Sequence, residues 1–86
     1  MVFDPNKTDA ERMYDRVEEE FPEAWIELFD NHGQKTLKAE PPNGSNAKQQ
    51  AEKIEAYLSG KGLRTSLNKL NDEGTIYEVT ATTDGW

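Results

Sequence analysis

Helical and strand-like segments follow one another in a repeated order along this chain, and that order most restricts its fold. An amphipathic helical segment comes before two strand-like segments joined by a turn, and the same succession then occurs a second time. A chain of 86 residues forms one hydrophobic core. The sequence therefore predicts a single α+β domain over 1–86 in αββαββ order, with 1–7 and 83–86 as flexible ends. Both helices are expected to pack on one face of a four-stranded, mainly antiparallel sheet.

The first helix is predicted for residues 8–21. Thr8 and Glu11 have the spacing of a capping box, in which the two side chains satisfy backbone N–H groups at the start of a helix. Pro22 ends the helix, because a proline disfavours helical geometry at the residue before it. One apolar stripe at helical spacing comprises Ala10, Met13, Tyr14, Val17 and Phe21.

The second helix is predicted for residues 45–62. Either Ser45 or Asn46 is its N-cap, since both side chains accept hydrogen bonds from the first turn of a helix. Gly60 or Gly62 supplies a C-terminal cap in the left-handed conformation. Its buried face comprises Ala47, Ala51, Ile54, Tyr57 and Leu58.

A turn ending in glycine separates the strands of each predicted hairpin. The first turn is Asp-Asn-His-Gly, residues 30–33, between AWIELF and QKTLKAE. The second is Asn-Asp-Glu-Gly, residues 71–74, between LRTSLNKL and TIYEVTAT. Asp and Asn accept hydrogen bonds from the nearby backbone and Gly tolerates a positive φ, so both segments favour chain reversal. In the last strand, Tyr77, Val79 and Ala81 are predicted to share one face.

The single histidine, His32, lies in the first of these turns. A catalytic base needs an orienting partner and a pocket, whereas a hairpin turn is exposed at the edge of a fold. With 17 carboxylates no single pair is informative, and so small a domain rarely encloses the cleft that paired catalytic carboxylates require. The sequence has no ligand spacing typical of zinc, of a calcium loop or of a phosphate loop. We therefore expect His32 to serve the turn, and the protein to be non-enzymatic, without a metal or cofactor.

The chain has no cysteine, which excludes disulfides, zinc–thiolate sites and thiol nucleophiles and fits a reducing compartment. No apolar run approaches the roughly 18 residues that span a bilayer. The opening residues, MVFDPNKTDAER, lack the basic-then-apolar pattern of a signal peptide. We therefore expect a cytoplasmic protein, of a cell or of an infected host.

Acidic residues are concentrated in the first third of the chain. The formal net charge is −7, and residues 9–30 carry nine acidic against two basic side chains. Four acids fall within an arc of about 100° beside the apolar stripe of the first helix: Glu11, Asp15, Glu18 and Glu19. Three interpretations are open: a solvated face that keeps a small protein soluble, an adaptation to high salt, and a docking surface for a basic partner.

Large aromatic residues occupy one face of the first predicted strand. Trp25 and Phe29 share that face with Glu27, while smaller apolar residues alternate onto the other. In the simpler arrangement the helices cover Trp25 and Phe29. In the alternative arrangement the two aromatic residues point outward, where they would resemble the core of an interface with a polar surround. Trp86 either folds back onto the sheet or is free.

The functional hypothesis is a small acidic protein-binding module that binds a basic protein partner and acts as its inhibitor or adaptor. A nucleic-acid-handling protein is the concrete partner, captured by imitation of phosphate charge as in a DNA mimic. We expect no direct binding to nucleic acid, because the negative net charge repels a phosphate backbone. The charge donors and aromatic anchors would be Glu11, Asp15, Glu18, Glu19, Glu23, Trp25 and Phe29.

The alternative hypothesis is a structural or self-associating domain. Its acidic surface would then serve solubility or salt tolerance. Under either hypothesis we expect a monomer or a homodimer that does not associate with membranes.

Overall fold

The computed structural model describes residues 8–31, 34–84 and 86, and the predicted α+β fold in αββαββ order is confirmed. The elements are α1 Asp9–Glu20, β1 Trp25–Asn31, β2 Gln34–Glu40, α2 Ala47–Gly60, β3 Arg64–Lys69 and β4 Tyr77–Thr82. The four strands form one antiparallel sheet in the order β1-β2-β4-β3. The two hairpins therefore meet in the middle of the sheet, and the first strand of each hairpin forms an edge.

The predicted capping box starts α1. The Thr8 hydroxyl accepts a hydrogen bond from the Glu11 N–H at 3.2 Å, and the Glu11 carboxylate accepts one from the Thr8 N–H at 3.4 Å. The last residue of the helix is Glu20, and its C-cap is Phe21, the residue before Pro22. The Phe21 N–H donates to the Val17 carbonyl. Both ends of α1 are thus set by local sequence.

The structure shows which of the alternative capping residues lie at the two ends of α2. Its N-cap is Asn46, and the side chain of Asn46 makes no capping hydrogen bond. At the other end, Gly62 adopts a φ of 86° and its N–H donates to the Ser59 carbonyl at 3.0 Å. The Leu63 N–H donates to the Leu58 carbonyl at 3.4 Å, and both leucines are buried. This is a Schellman motif, in which only a residue without a Cβ atom is comfortable at the position of Gly62.

The side chain of Asn71 organises the second hairpin turn. Its Oδ1 accepts hydrogen bonds from the N–H groups of Thr75 and Ile76 at 3.0 and 3.1 Å, and Gly74 has a φ of 71°. The predicted turn is therefore confirmed with its chemistry. In the first hairpin, Asp30 and Asn31 belong to β1 and not to the predicted turn, and they pair with Lys35 and Gln34. Residues 32–33 lie outside the described residues, and the role of His32 stays a prediction.

The helices cover the opposite face of β1 from the one expected in the simpler arrangement, which was therefore wrong. Ile26 is buried, whereas Trp25 and Phe29 are 66% and 45% exposed. The cause is the register, which places Trp25 and Phe29 on the same face as the charged side chains of Lys38 and Glu78. Covering that face would bury those charges, at a cost that the smaller residues of the other face avoid.

Both helices pack against the covered face of the sheet and form one hydrophobic core with it. Its largest fully buried side chains are Leu37, Ile54, Leu58, Val17 and Val79. As predicted, Tyr77, Val79 and Ala81 share the buried face of β4. Trp86 also packs against this core, so of the two positions considered for it the folded-back one is found.

Candidate protein-binding surface

The charge donors expected from the sequence are all exposed, on α1 or just after it. They are Glu11, Asp15, Glu18, Glu19 and Glu23. We call Glu11, Asp15, Glu18 and Glu19 the acidic face. Within the acidic face, Asp15 is a like-charge neighbour of Glu11 and Glu19 at four-residue spacing, and each such pair costs a few tenths of a kcal/mol (about 0.2–0.5). The like charges of the acidic face thus repel one another and slightly destabilise α1.

Two open depressions lie between α1 and the outer side of β1. The larger, of 480 Å³, has Glu18 and Trp25 in its wall, and the smaller, of 290 Å³, has Glu11, Asp15 and Leu28. Tyr14 lines both of them. We call them together the edge groove, lined by Glu11, Tyr14, Asp15, Glu18, Pro22, Ala24, Trp25, Ile26 and Leu28. The fold therefore places Glu18 beside the exposed Trp25, and Glu11 and Asp15 beside Leu28.

The hydroxyl of Tyr14 reports the electrostatic character of the edge groove. Partial burial raises the pKa of Tyr14 above its ordinary value of 10.0. A hydrogen bond to Glu18 raises this pKa further, as do the negative charges of Glu18, Asp15 and Glu27. Three carboxylates from α1 and β1 thus act on one phenol, and the groove has a negative potential that favours a cation.

The aromatic residues expected as anchors lie on the open face of the sheet. The indole N–H of Trp25 donates a hydrogen bond to the carboxylate of Glu27. The ammonium group of Lys38 lies 6.0 Å from the centroid of the Phe29 ring, at the outer limit of a cation–π contact. Each of the two rings thus has a polar neighbour, while Trp25 stays 66% exposed and Phe29 45% exposed.

Lys38 is the centre of a charged network on the same open face. Its ammonium group lies 2.9 Å from the Glu40 carboxylate and 3.3 Å from that of Glu78. Hydrogen bonds to these two carboxylates raise the pKa of Lys38, although partial desolvation opposes the change. The centre of the open face is therefore polar, and over the described ranges the exposed large aromatic residues, Trp25 and Phe29, both belong to β1.

Three of the expected site residues do not line the edge groove, and one of them is Phe29, on the open face of the sheet. Glu19 is exposed on α1 beyond the residues that line the groove. Glu23 borders a separate depression of 220 Å³ between the end of α1 and α2, which also contains Phe21 and Ile54. The depression of 220 Å³ forms because the two helices lie side by side on the sheet. The sequence pattern of neither helix predicted it.

The described part of the chain contains no group of three or more histidine, aspartate or glutamate side chains placed to hold a metal ion. Over the same residues, no helix is long and apolar enough to cross a membrane. Comparison of the chain with known protein families, with curated proteins and with solved structures finds no match. Function is therefore inferred from the surfaces of the chain itself.

Proposed function

We propose that this protein is a small, non-enzymatic binding module that captures a basic protein partner on the acidic face of α1. Trp25 and Phe29 would serve as aromatic anchors. The observation that carries the proposal is that Glu18 and the exposed Trp25 line the same depression. Negative charge and aromatic contact surface are thus adjacent, as they are where a cationic interface binds.

The concentration of charge favours binding over solubility alone. A surface that only keeps a protein in solution works best with both signs interspersed. Here, residues 9–30 carry nine acids and two bases, and like charges are neighbours along α1. A single-signed field of this kind steers an oppositely charged partner and increases the rate of association.

The aromatic residues add short-range contacts to this steering. Tryptophan is among the residue types most enriched at the energetic centres of interfaces. The ring faces of Trp25 attract arginine and lysine by cation–π contacts, and Glu18 and Glu27 lie nearby to pair with the same cation. The surface therefore suits a partner rich in arginine or lysine.

The concrete form of the proposal is an inhibitor or adaptor of a nucleic-acid-handling protein. Arginine and lysine side chains that hold phosphate also bind carboxylates, and arginine does so in a bidentate manner. Carboxylates on α1 would compete with the nucleic acid for such side chains. We place this interaction in the cytoplasm of a cell or an infected host, since a chain without cysteine fits a reducing compartment.

Self-association is the second candidate, and the open sheet face favours it. In a dimer, Trp25 and Phe29 of one chain could pack against the same residues of the second chain. Such a dimer would be held by apolar contact and would persist when salt is raised. Light scattering at low and moderate salt distinguishes this dimer from a charge-directed complex.

The test is affinity capture from a lysate of the source or host, at low and at moderate salt. Wild type is compared with a variant in which Glu11, Asp15, Glu18 and Glu19 are changed to glutamine. The matched control removes the same number of negative charges from the other half of the chain. In it, glutamine replaces Glu52, Glu55, Asp72 and Glu73. A partner bound by wild type and control, but lost from the α1 variant, supports the proposal. Equal capture by all three proteins contradicts it.

A further inference from the structure

We infer that the open edge of β1 binds an extended, basic segment of the partner as an added β-strand. This inference rests on the proposed function, because it states how a basic partner would be held. The added segment would pair with the backbone from Trp25 to Phe29, and its basic side chains would enter the edge groove.

The position of β1 in the sheet provides the edge. β1 pairs with β2 along its whole length, and among the described residues no strand pairs with its other side. A strand with one neighbour directs alternate N–H and C=O groups outward, and these are ready to pair with another chain. Addition of a peptide strand to such an edge is a common mode of recognition.

The two edges of the sheet differ in how they are protected. Natural proteins discourage pairing at edges with lysine, proline and other charged residues. The edge strand β3 begins with Arg64 and ends with Lys69, with mostly polar residues between them. The stretch Trp25–Phe29 contains no lysine, arginine or proline and four of its five residues are apolar. The edge at β1 is therefore the one suited to a partner.

The edge groove provides room for alternate side chains of the added strand. A paired strand lies about 4.8 Å from its neighbour and directs successive side chains to opposite faces of the sheet. Side chains on the helix side would meet Tyr14 and the carboxylates of Glu11, Asp15 and Glu18. Side chains on the other side would lie next to Trp25 and Phe29. The expected ligand thus alternates basic and apolar residues.

The spacing of the carboxylates along α1 is shorter than that of alternate strand residues, and the Glu11–Asp15 pair comes nearest to it. Glu11 and Asp15 are separated along the helix axis by about 6 Å, and Asp15 and Glu18 by about 4.5 Å. Alternate residues of a strand are about 6.6 Å apart. Glu18 lies beside Trp25, and Glu11 and Asp15 lie beside Leu28, so the acids follow the edge of β1. Two or three successive basic side chains could each meet a carboxylate.

Charge favours a basic segment over a second copy of this chain. Pairing of β1 with β1 of a second copy would bring two acidic faces together, on chains that each carry a net charge of −7. The resulting repulsion opposes a dimer of this kind. A basic segment brings the opposite charge to the same place.

The test uses the full chain, labelled for amide NMR, and a blocked peptide of alternating lysine and valine about as long as β1. Two isomers carry N-methyl groups on every lysine or on every valine, so that each blocks one edge of the extended peptide. A fourth peptide has glutamate in place of lysine. We expect the lysine–valine peptide to shift the amide signals of β1. One methylated isomer should bind like the parent and the other at least about tenfold more weakly, because several hydrogen bonds are lost. The glutamate peptide should not bind.

Three results would overturn the inference. If both methylated isomers bind like the parent, the peptide is held by charge alone. If the lysine–valine peptide does not bind while a partner is still captured through the α1 acids, strand addition is wrong and the proposed function stands. If the β1 signals shift with protein concentration in the absence of peptide, the edge pairs with a second copy. Failure of the proposed function is a separate result, namely capture that does not depend on the α1 acids.

Discussion

The indole N–H of Trp25 donates a hydrogen bond to the carboxylate of Glu27, two residues further along β1 on the same open face of the sheet. This contact satisfies the polar edge of the ring, while 66% of the Trp25 residue surface is exposed to solvent. It also holds a negative charge beside the aromatic ring. Trp25 is thus an aromatic residue in an acidic setting, which suits contact with a cation.

The charge around Trp25 can be measured with ionic quenchers of fluorescence. In a Trp86→Phe variant, which leaves Trp25 as the single tryptophan, we expect caesium to quench more effectively than iodide when each is scaled to free tryptophan amide. Glu27→Gln should reduce this preference and Glu52→Gln should not. Equal quenching by the two ions would mean that the acidic residues do not set the potential at the ring.

Removal of the Trp25 side chain should separate binding from stability. Since the residue is mostly exposed, we expect Trp25→Ala to change the free energy of unfolding by no more than about 0.5 kcal/mol. Its affinity for the captured partner should fall by about 2 kcal/mol or more, as for an interface anchor. Leu70→Ala is the control, because Leu70 is 47% exposed and lies far along the chain from α1 and β1. Urea unfolding and a binding titration measure the two effects, and unchanged affinity would exclude Trp25 as an anchor.

The capping box of α1 should contribute measurably to stability. Thr8→Ala removes the hydroxyl that accepts from the Glu11 N–H, and we expect a loss of about 1 kcal/mol in the free energy of unfolding. Asn46→Ala at the start of α2 should cost less, since the Asn46 side chain makes no capping hydrogen bond. Chemical denaturation of the two variants makes the comparison. Equal losses of stability in the two variants would show that the Thr8 capping hydrogen bond adds no more stability than the Asn46 side chain.

The pKa of Tyr14 should depend on Glu18. Because Glu18 raises this pKa by a hydrogen bond and by its charge, Glu18→Gln should lower it towards 10.0, whereas Glu52→Gln should not. Because the pKa of Tyr14 is higher in the folded state, Tyr14 contributes its full stabilisation at any pH below the ordinary tyrosine pKa. This contribution is lost as the pH rises from 10.0 through the folded-state pKa, so wild type should lose stability relative to Tyr14→Phe above pH 10.0. Tyrosinate absorbance, followed with pH, measures the pKa directly.

Local sequence was sufficient to predict most elements of the fold. The capping box at Thr8, the proline at 22 and the turn at Asn71 each act through neighbouring residues, and all three are found in the structure. The alternation in β4 likewise predicted its buried face, because a strand has a fixed period of two.

The face of β1 that the helices cover could not be read from β1 alone. Both faces of β1 carry large apolar residues, so its own alternation does not decide between them. The decision comes from the register with β2 and β4, which places Trp25 opposite Glu40 and aligns Lys38 with Thr80. Likewise, the edge groove depends on the placement of α1 over β1, so the sequence alone did not show that Glu18 and Trp25 line one depression.

The central claim is that the acids of α1 bind a basic partner by their position and not only by their charge. The most direct measurement is the affinity of the captured partner for wild type, for the α1 variant and for the matched control, at low and moderate salt. We expect the α1 variant to bind at least about tenfold more weakly at low salt, with a difference that shrinks as salt screens the charges. The control, with the same net charge, should remain close to wild type. Equal weakening of the two variants, or no weakening of either, would contradict the claim.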